Sequence, residues 1–174
     1  GWLAKKAAAC DEAARSGDPM RQFAAEPDKG HAHALDRFFD QICRGGPEVC
    51  GIDLGCGSHW FVDFVRTDAD YRWSAVGYDP DQHAIDLARR RFPQNAEFYR
   101  CLDPLRGGLP RELTATQHFV FCNAVLQHFD DAEADRALAE ISRVLRPGGY
   151  AMLIFKCWDD ELLTDDAGMD QPPR

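Results

Sequence analysis

The chain has 174 residues, of which 45% are hydrophobic and 28% are charged, as expected for one globular domain with a substantial core. Its net charge of −9 and pI near 5.0 go against a nucleic-acid partner, because binding a phosphate backbone needs a basic face. We find neither a signal-peptide pattern nor an apolar run long enough to span a bilayer, so we expect a cytoplasmic protein with no membrane partner.

The seven cysteines are scattered along the chain. An odd number without close spacing is typical of reduced thiols and not of a disulfide framework. The sequence contains neither a CxxC pair nor a His/Cys cluster that would indicate a zinc site, so we expect no metal. The cysteines are Cys10, Cys43, Cys50, Cys56, Cys101, Cys122 and Cys157.

Residues 1–44 are predicted to form a helical cap on the substrate side of the main domain. One helix is predicted in the Ala- and Lys-rich stretch at 2–15 and a second over 31–43. The second helix has apolar residues at helical spacing and should pack on a sheet. These residues are Leu35, Phe38, Phe39 and Ile42.

The rest of the chain is organised around residues 49–58, VCGIDLGCGS. The β-branched run predicts a strand, and Gly55 and Gly57 predict a tight turn, because glycine tolerates positive φ and leaves no Cβ beside a ligand. Asp53 places a carboxylate at the carboxyl end of this strand, where open α/β sheets bind ligands. A helix predicted over 58–67 would turn its free N–H groups toward the same crevice. The pattern indicates a nucleotide-type site.

Strands and helices alternate through the remainder of the main domain. Further strands are predicted at Trp73–Tyr78, Ala96–Cys101, Phe119–Asn123 and Tyr150–Phe155. Helices are predicted from Pro80 to Arg91, with Asp79 as N-cap, and from Asp130 or Asp131 to the Pro147-Gly148-Gly149 stop. This alternation predicts an α/β fold with a Rossmann-like, doubly wound, mainly parallel sheet and helices on both faces.

Five sequence blocks make a family resemblance specific by their order and spacing. They are DLGCGS (53–58), VGYDPD (76–81), a Leu-Asp pair at 102–103, FCNAVLQHF (121–129) and EISRVLRPGGYAMLIF (140–155). Over residues 45–156 the chain resembles the class I S-adenosylmethionine-dependent methyltransferases, and most closely their small-molecule, type 11-like branch. It departs from the family pattern at His59-Trp60, where a third glycine is usual.

The resemblance implies S-adenosylmethionine as cofactor and S-adenosylhomocysteine as product. It places Asp79 at the two ribose hydroxyls and Asp103 at the adenine amino group, with Asn123 beside the methionine moiety. Asp79 could instead only cap a helix, and Asp103 could simply start a turn. Cys56 could be no more than a small packing residue. The predicted cofactor-binding residues are Asp53, Gly55, Cys56, Gly57, Asp79, Pro80, Leu102, Asp103, Asn123 and Ala124.

His128 is the candidate catalytic residue. It follows a predicted strand at the rim where the methyl acceptor should lie, and imidazole can act as a base near neutral pH. A structural role for His128 is the alternative. The other histidines, among them His83 and His118, are expected at the surface or at element ends, without a chemical role. Candidates for an apolar lining of the acceptor pocket, with plain core packing as the alternative for the last two, are Trp2, Phe23, Phe38 and Phe39.

The implied reaction transfers the sulfonium methyl group to an oxygen, nitrogen or carbon atom of a small-molecule acceptor. One alternative is a catalytically silent module, or a truncated fragment, that binds the cofactor without turnover. Another is a nicotinamide-dependent oxidoreductase, which uses the same fold but requires Gly-x-Gly-x-x-Gly, whereas this chain has Trp60 at the last glycine position.

The main domain is predicted to cover residues 45–158, and 159–174 to form an acidic tail. The family resemblance implies an antiparallel hairpin beside the fifth strand, but no second β-rich run comes after Phe155, so we expect that hairpin to be absent. The fifth strand would then be an open apolar edge, which native chains rarely leave bare. We therefore expect either a missing C-terminal segment of a longer enzyme or a second chain, as in a homo-oligomer, to cover it.

Overall fold

A single parallel sheet forms the centre of the computed structural model, which describes residues 37–42, 49–67 and 73–154. Its five strands lie in the order β3-β2-β1-β4-β5, and each neighbouring pair is parallel. The strands are β1 (Cys50–Leu54), β2 (Ser74–Asp79), β3 (Tyr99–Cys101), β4 (Gln117–Asn123) and β5 (Leu145–Ile154). The predicted fold class, a doubly wound α/β sheet, is confirmed.

Helices cover both faces of this sheet. They are α1 (37–42), α2 (Phe61–Thr67), α3 (Gln82–Arg91), α4 (Pro104–Gly107) and α5 (Asp131–Val144), with single-turn or kinked 3-10 segments at Pro93–Phe98, Arg111–Leu113 and Leu126–His128. Apolar residues of α1, α2 and α3 form one core cluster with one face of the sheet. Apolar residues of α5 form a second cluster on the opposite face.

Several predicted element boundaries differ from those of the structure, among them the starts of two helices and of β3. The helix predicted from Ser58 begins at Phe61, since His59 N donates to the Cys56 carbonyl at 3.0 Å and closes a turn first. The helix predicted from Pro80 begins at Gln82. The first half of the strand predicted at 96–101 is 3-10 helix that starts at Pro93, and β3 keeps only three residues.

The entry into β5 also differs from the prediction. Helix α5 ends at Val144, and β5 begins at the next residue instead of after the Pro-Gly-Gly stop. Gln117 pairs with Leu145 and Phe119 with Tyr150, so residues 146–149 bulge opposite one residue of β4. The described part of β5 is an edge strand with Tyr150 44% exposed. The predicted cover of this edge and the predicted tail at 159–174 both lie outside the described residues.

The two phenylalanines of α1 belong to the core and do not line an acceptor pocket. Phe38 is 6% exposed and Phe39 2%. The Phe39 ring stacks on Trp73 with 5.4 Å between centroids, and the Phe38 ring meets Phe119 edge-on at 6.0 Å. The core alternative is therefore correct for this pair. Trp2 and Phe23, like most of the predicted cap, lie outside the described residues.

Candidate functional site

The strand order reverses between β1 and β4, and the carboxyl ends of these strands meet there. Starting from β1, the chain adds β2 and then β3 toward one edge of the sheet. It then adds β4 and β5 on the other side of β1, toward the opposite edge. Helices therefore leave β1 and β4 on opposite faces and open a crevice between the strand ends. The loops after β1, β2, β3 and β4, together with the strand ends before them, carry all the residues predicted to bind the cofactor.

The glycine turn after β1 requires glycine at both predicted positions. Gly55 has φ +71° and Gly57 φ +50°, in the left-handed region that side chains disfavour. A Cβ on Gly55 would also overlap the side chain of Val125. Gly55 N and Cys56 N both donate to the Tyr78 carbonyl, at 2.8 and 3.1 Å, so the turn is held against the end of β2.

Asp79, at the end of β2, holds that turn from the other side. Its Oδ2 accepts from Gly57 N at 2.9 Å and its Oδ1 from Asp81 N at 2.8 Å. The N-cap of α3 is Asp81, whose side chain accepts from His83 N at 2.8 Å, so the prediction that Asp79 caps this helix is wrong. A carboxylate offers about four acceptor positions, and two backbone donors leave others available to a ligand.

Asp53 is a buried acidic residue beside Asp79. It is 3% exposed, and among the described residues no hydrogen bond to its carboxyl group is found. Its oxygens are not among the fully buried atoms without a partner in that part of the chain, so they reach the surface of the crevice. Burial, and next the negative charge of Asp79, raise the pKa of Asp53 well above its usual value. A carboxyl group in this state gains most from a cationic or hydrogen-bond-donating ligand.

Cys56 and Pro80 occupy less direct positions. The Cys56 side chain is 1% exposed and lies against Gly77 in the core, so only its main chain borders the crevice. Burial, followed by the charges of Asp53 and Asp79, raises the pKa of the Cys56 thiol, which suits a packing residue and not a nucleophile. Pro80 is exposed between Asp79 and Asp81.

Leu102 and Asp103 come directly after β3, next to Asp79. Leu102 N donates to the Asp79 carbonyl at 3.0 Å, and the Leu102 side chain packs partly buried against the second core cluster. The Asp103 carboxylate lies 3.4 Å from Nε of the exposed Arg106, and the Asp103 carbonyl accepts from Gly107 N at the start of α4. Asp103 therefore does start a turn, as the alternative proposed, while its carboxylate remains at the crevice edge.

The loop after β4 closes the crevice over the glycine turn. Asn123 ends β4, and Ala124 comes next with φ +58°, a left-handed conformation that is strained for a residue with a Cβ. Ala124 N donates to the Ile154 carbonyl at 2.7 Å, which ties this conformation to β5. The bend directs Val125 onto Gly55. Neither the strain nor the Val125 contact was predicted, since both depend on residues far apart in sequence.

His128 lies apart from the carboxylates. It ends the 3-10 turn Leu126–His128, its N donates to the Val125 carbonyl at 3.0 Å, and its side chain is exposed at the rim. In the described part of the chain no hydrogen bond joins its ring to Asp53 or Asp79. The structure thus places the predicted cofactor residues at neighbouring strand ends and leaves the His128 side chain exposed.

The same described ranges hold no helix of the length and apolarity needed to cross a membrane. Nor do they contain three or more His, Cys, Asp or Glu side chains grouped to hold a metal ion.

A glycine turn and strand-end carboxylates at the switch point of a doubly wound sheet define an α/β domain that binds a nucleoside-containing cofactor. The methyltransferase-domain family model matches residues 52–153, and the chain belongs to this methyltransferase family, whose cofactor is S-adenosylmethionine. The predicted family is confirmed, and membership goes against a nicotinamide-dependent oxidoreductase.

Relatives and solved structures agree with this assignment. The chain is 36% identical over 99 residues to malonyl-[acyl-carrier protein] O-methyltransferase of Hahella chejuensis, covering 56% of this chain and 33% of the relative. It is 30% identical over 126 residues to phthiotriol/phenolphthiotriol dimycocerosates methyltransferase of Mycobacterium tuberculosis, covering 72% and 43%. An S-adenosylmethionine-dependent methyltransferase structure from Mesorhizobium loti superposes with a TM-score of 0.55 at 21% identity, covering 70% of this chain and 51% of that one. The chain thus spans less than half the length of these curated relatives.

Proposed function

We propose that this chain binds S-adenosylmethionine in the crevice and transfers its methyl group to a small-molecule acceptor. The observation that carries the proposal is the pair of neighbouring acids, Asp79 held by two backbone donors and Asp53 buried without a partner among the described residues. The cofactor offers a ribose diol and, on its methionine moiety, an ammonium group, which match these two groups.

Asp79 suits the ribose because its position is fixed before the ligand arrives. Gly57 N and Asp81 N orient the carboxylate, and its remaining lone pairs can accept from both hydroxyl groups. Leu102 offers an apolar surface and Asp103 an acceptor beside Asp79, which suits adenine and its amino group. The left-handed turn at Gly55 and Gly57 lets the main chain approach the ligand closely.

Asp53 suits the ammonium group of the cofactor's methionine moiety. In the unliganded protein burial favours its neutral form. A bound ammonium group would supply the missing partner and favour the carboxylate. Asn123 and Ala124 face the same crevice end of β4 and would border the methionine portion.

The cofactor, when bound, supplies an electrophilic methyl group, so the protein's main contribution is to position an acceptor in line with it. His128, at the rim, would remove a proton from an acceptor that arrives as an alcohol, amine or carbon acid. A carboxylate acceptor is already a nucleophile and would leave His128 without that role. The acceptor chemistry therefore decides whether the reaction needs a base.

The relatives guide the choice of acceptors to test. Their names give a malonyl group on acyl carrier protein and phthiotriol-type lipids as substrates of those proteins. We propose that the acceptor of this chain is a small molecule of similar acyl or hydroxyl chemistry. Release of S-adenosylhomocysteine against a panel with carboxylate, hydroxyl and amine acceptors would identify it.

Calorimetric titration with S-adenosylmethionine, S-adenosylhomocysteine and NAD tests the cofactor site. We expect binding of the first two and none of NAD. Asp79→Ala should lose about 1–3 kcal/mol of affinity, because the ribose hydroxyls and two backbone donors lose their acceptor. Asp79→Asn, which keeps one acceptor oxygen, should lose less.

Equal affinity of Asp79→Ala and the parent would show that the ribose assignment is wrong. Cofactor binding without S-adenosylhomocysteine release on any acceptor would instead favour the alternative of a catalytically silent module.

A further inference from the structure

A cysteine and a histidine meet at the amino ends of β1 and β4, at the opposite edge of the sheet from the crevice. Because Gly51 pairs with Phe119 in the parallel register, the residues before them lie side by side. Cys50 Sγ is 3.3 Å from Nδ1 of His118 and 3.4 Å from the Thr116 carbonyl oxygen. We expected His118 at the surface or at an element end, without a chemical role, and 68 residues separate it from Cys50 in sequence.

A backbone hydrogen bond determines which ring nitrogen of His118 carries the proton. Cys50 N donates to Nδ1 at 3.3 Å, so Nδ1 is an acceptor and the proton is on Nε2. The thiol lies 3.3 Å from the same nitrogen and so competes with Cys50 N–H for its one lone pair. Burial, and next the positive charge of Arg146, lower the pKa of His118, which keeps the ring neutral at pH 7. A proton acceptor is therefore in place beside Cys50.

The other described cysteines lack this combination. Cys56 and Cys122 are each 1% exposed, and burial raises the pKa of Cys122 to about 12. Cys101 is exposed, but its Sγ contacts the Pro80 carbonyl oxygen at 3.5 Å, which cannot accept the thiol proton fully. Cys50 is partly exposed and lies against an imidazole. Exposure alone would make Cys101 the most reactive of the four.

We propose that Cys50 and His118 form a thiol-modification site that reacts with low-molecular-weight disulfides. The thiol proton of Cys50 passes to His118 Nδ1, which releases its hydrogen bond from Cys50 N, and Sγ attacks one sulfur of the disulfide. A new S–S bond joins Cys50 to that half of the reagent, and the other half leaves as a thiolate that takes up a proton. Cys50 is oxidised and the small disulfide is reduced. This site is independent of the proposed methyl transfer, because its test measures thiol chemistry and not turnover.

The first experiment compares cysteines within the reduced chain of 174 residues. Substoichiometric dithiodipyridine, a neutral aromatic disulfide, is added at pH 7, and modified peptides are quantified by mass spectrometry after acid quench. We expect Cys50 to react about tenfold or more faster than Cys101, because general-base help of about 10²–10⁴ outweighs the greater exposure of Cys101. A Cys101 rate equal to or above that of Cys50 would overturn the proposal.

The second experiment removes the base and keeps the fold. In His118→Gln the side-chain carbonyl can still accept from Cys50 N, but it cannot take up the thiol proton. The Cys50 rate should fall about tenfold or more, while the Cys101 rate stays unchanged. An unchanged Cys50 rate would contradict the role of His118. Cys56 and Cys122 report folding, since they react only if the core opens, and the parent comparison decides the proposal even if this variant unfolds.

Discussion

Glu140 and Asp53 are two acidic residues, on opposite faces of the sheet, whose carboxyl groups are partly or fully buried. They differ in the hydrogen-bond partners that the protein supplies. Glu140, on α5, accepts three hydrogen bonds within the protein. Its Oε2 accepts from Leu109 N and Arg143 Nη2, both at 2.8 Å, and its Oε1 from Arg143 Nε at 2.9 Å. These bonds, first those from Arg143, lower the pKa of Glu140. Its charge is matched by the fold and holds α5 to the segment that precedes β4.

Asp53 is the opposite case. It is more deeply buried, accepts no hydrogen bond in the described part of the chain, and has a raised pKa. Leaving a buried acid without partners costs stability, and the fold gains nothing from it. We infer that an acid satisfied within the protein serves structure, whereas an unsatisfied acid at a strand end is available to a ligand. Variants in the crevice should therefore change turnover or cofactor affinity, whereas variants on α5 should change the free energy of unfolding.

The largest effect is expected at His128 on the crevice side. If the acceptor arrives protonated, His128→Ala should reduce turnover by about 10²–10⁴ through loss of a general base. Cofactor affinity and melting temperature should stay the same, because the side chain is exposed. His83→Ala, on the exposed surface of α3, is the matched control. Unaltered turnover on the true acceptor would reduce His128 to a structural residue.

Asp53→Asn tests the other crevice role. The amide is nearly isosteric but carries no negative charge, so affinity for S-adenosylmethionine should fall by about 10- to 100-fold, as for loss of a charge-assisted bond. Stability of the unliganded protein should not fall, because the neutral amide removes the need to bury a charge. Calorimetry and thermal unfolding of the same sample measure both. Undiminished affinity would show that Asp53 does not contact the cofactor.

The crevice turn was predictable because its cause is local. Gly55 and Gly57 have the positive φ that their residue type suggested, and Asp53 lies at the strand end that the β-branched run indicated. The N-cap residue of α3 was not predictable, because its cause is not local. Asp79 and Asp81 both precede that helix, and the Gly57 N–H, 22 residues away, decides which one is drawn to the crevice. The contact between the cysteine and histidine of the thiol site was likewise hidden by their separation in sequence.

On the α5 side, Glu140→Ala should lower the free energy of unfolding by about 2 kcal/mol. The variant leaves the Leu109 N–H without its acceptor and Arg143 without its counter-charge. Asp135→Ala, an exposed acid on the same helix, should change stability by less than about 0.5 kcal/mol. Chemical denaturation measures both. Reduced cofactor affinity in Glu140→Ala at unchanged fold would contradict the separation of the two regions.

The pH dependence of stability should separate the two acids by sign. The pKa of Glu140 is lowered in the folded state, so its contribution is present above the unfolded pKa and is lost as pH falls through the folded value. The pKa of Asp53 is raised, so its neutral form is tolerated below the unfolded pKa, and stability is lost as pH rises through the folded value. Unliganded Asp53→Asn should therefore exceed the parent in stability at pH 7, and the difference should vanish toward about pH 4. Equal denaturation midpoints of the two proteins at pH 7 would contradict the assignment of Asp53 as a destabilising buried acid.

The smallest effect is expected where α5 begins, beside the crevice loop. Asp130 Oδ1 accepts from Glu133 N at 2.8 Å, and Glu133 Oε2 accepts from Asp130 N at 3.1 Å, which forms the capping box. Asp130→Ala should cost about 1 kcal/mol of stability, and Asp130→Asn much less, because asparagine caps nearly as well. Although Asp130 lies only two residues from His128, its oxygens are used by the helix, and cofactor affinity should not change. A loss of affinity in Asp130→Ala without a loss of stability would show that position in the chain, and not hydrogen-bond satisfaction, determines which acids of this protein serve the ligand.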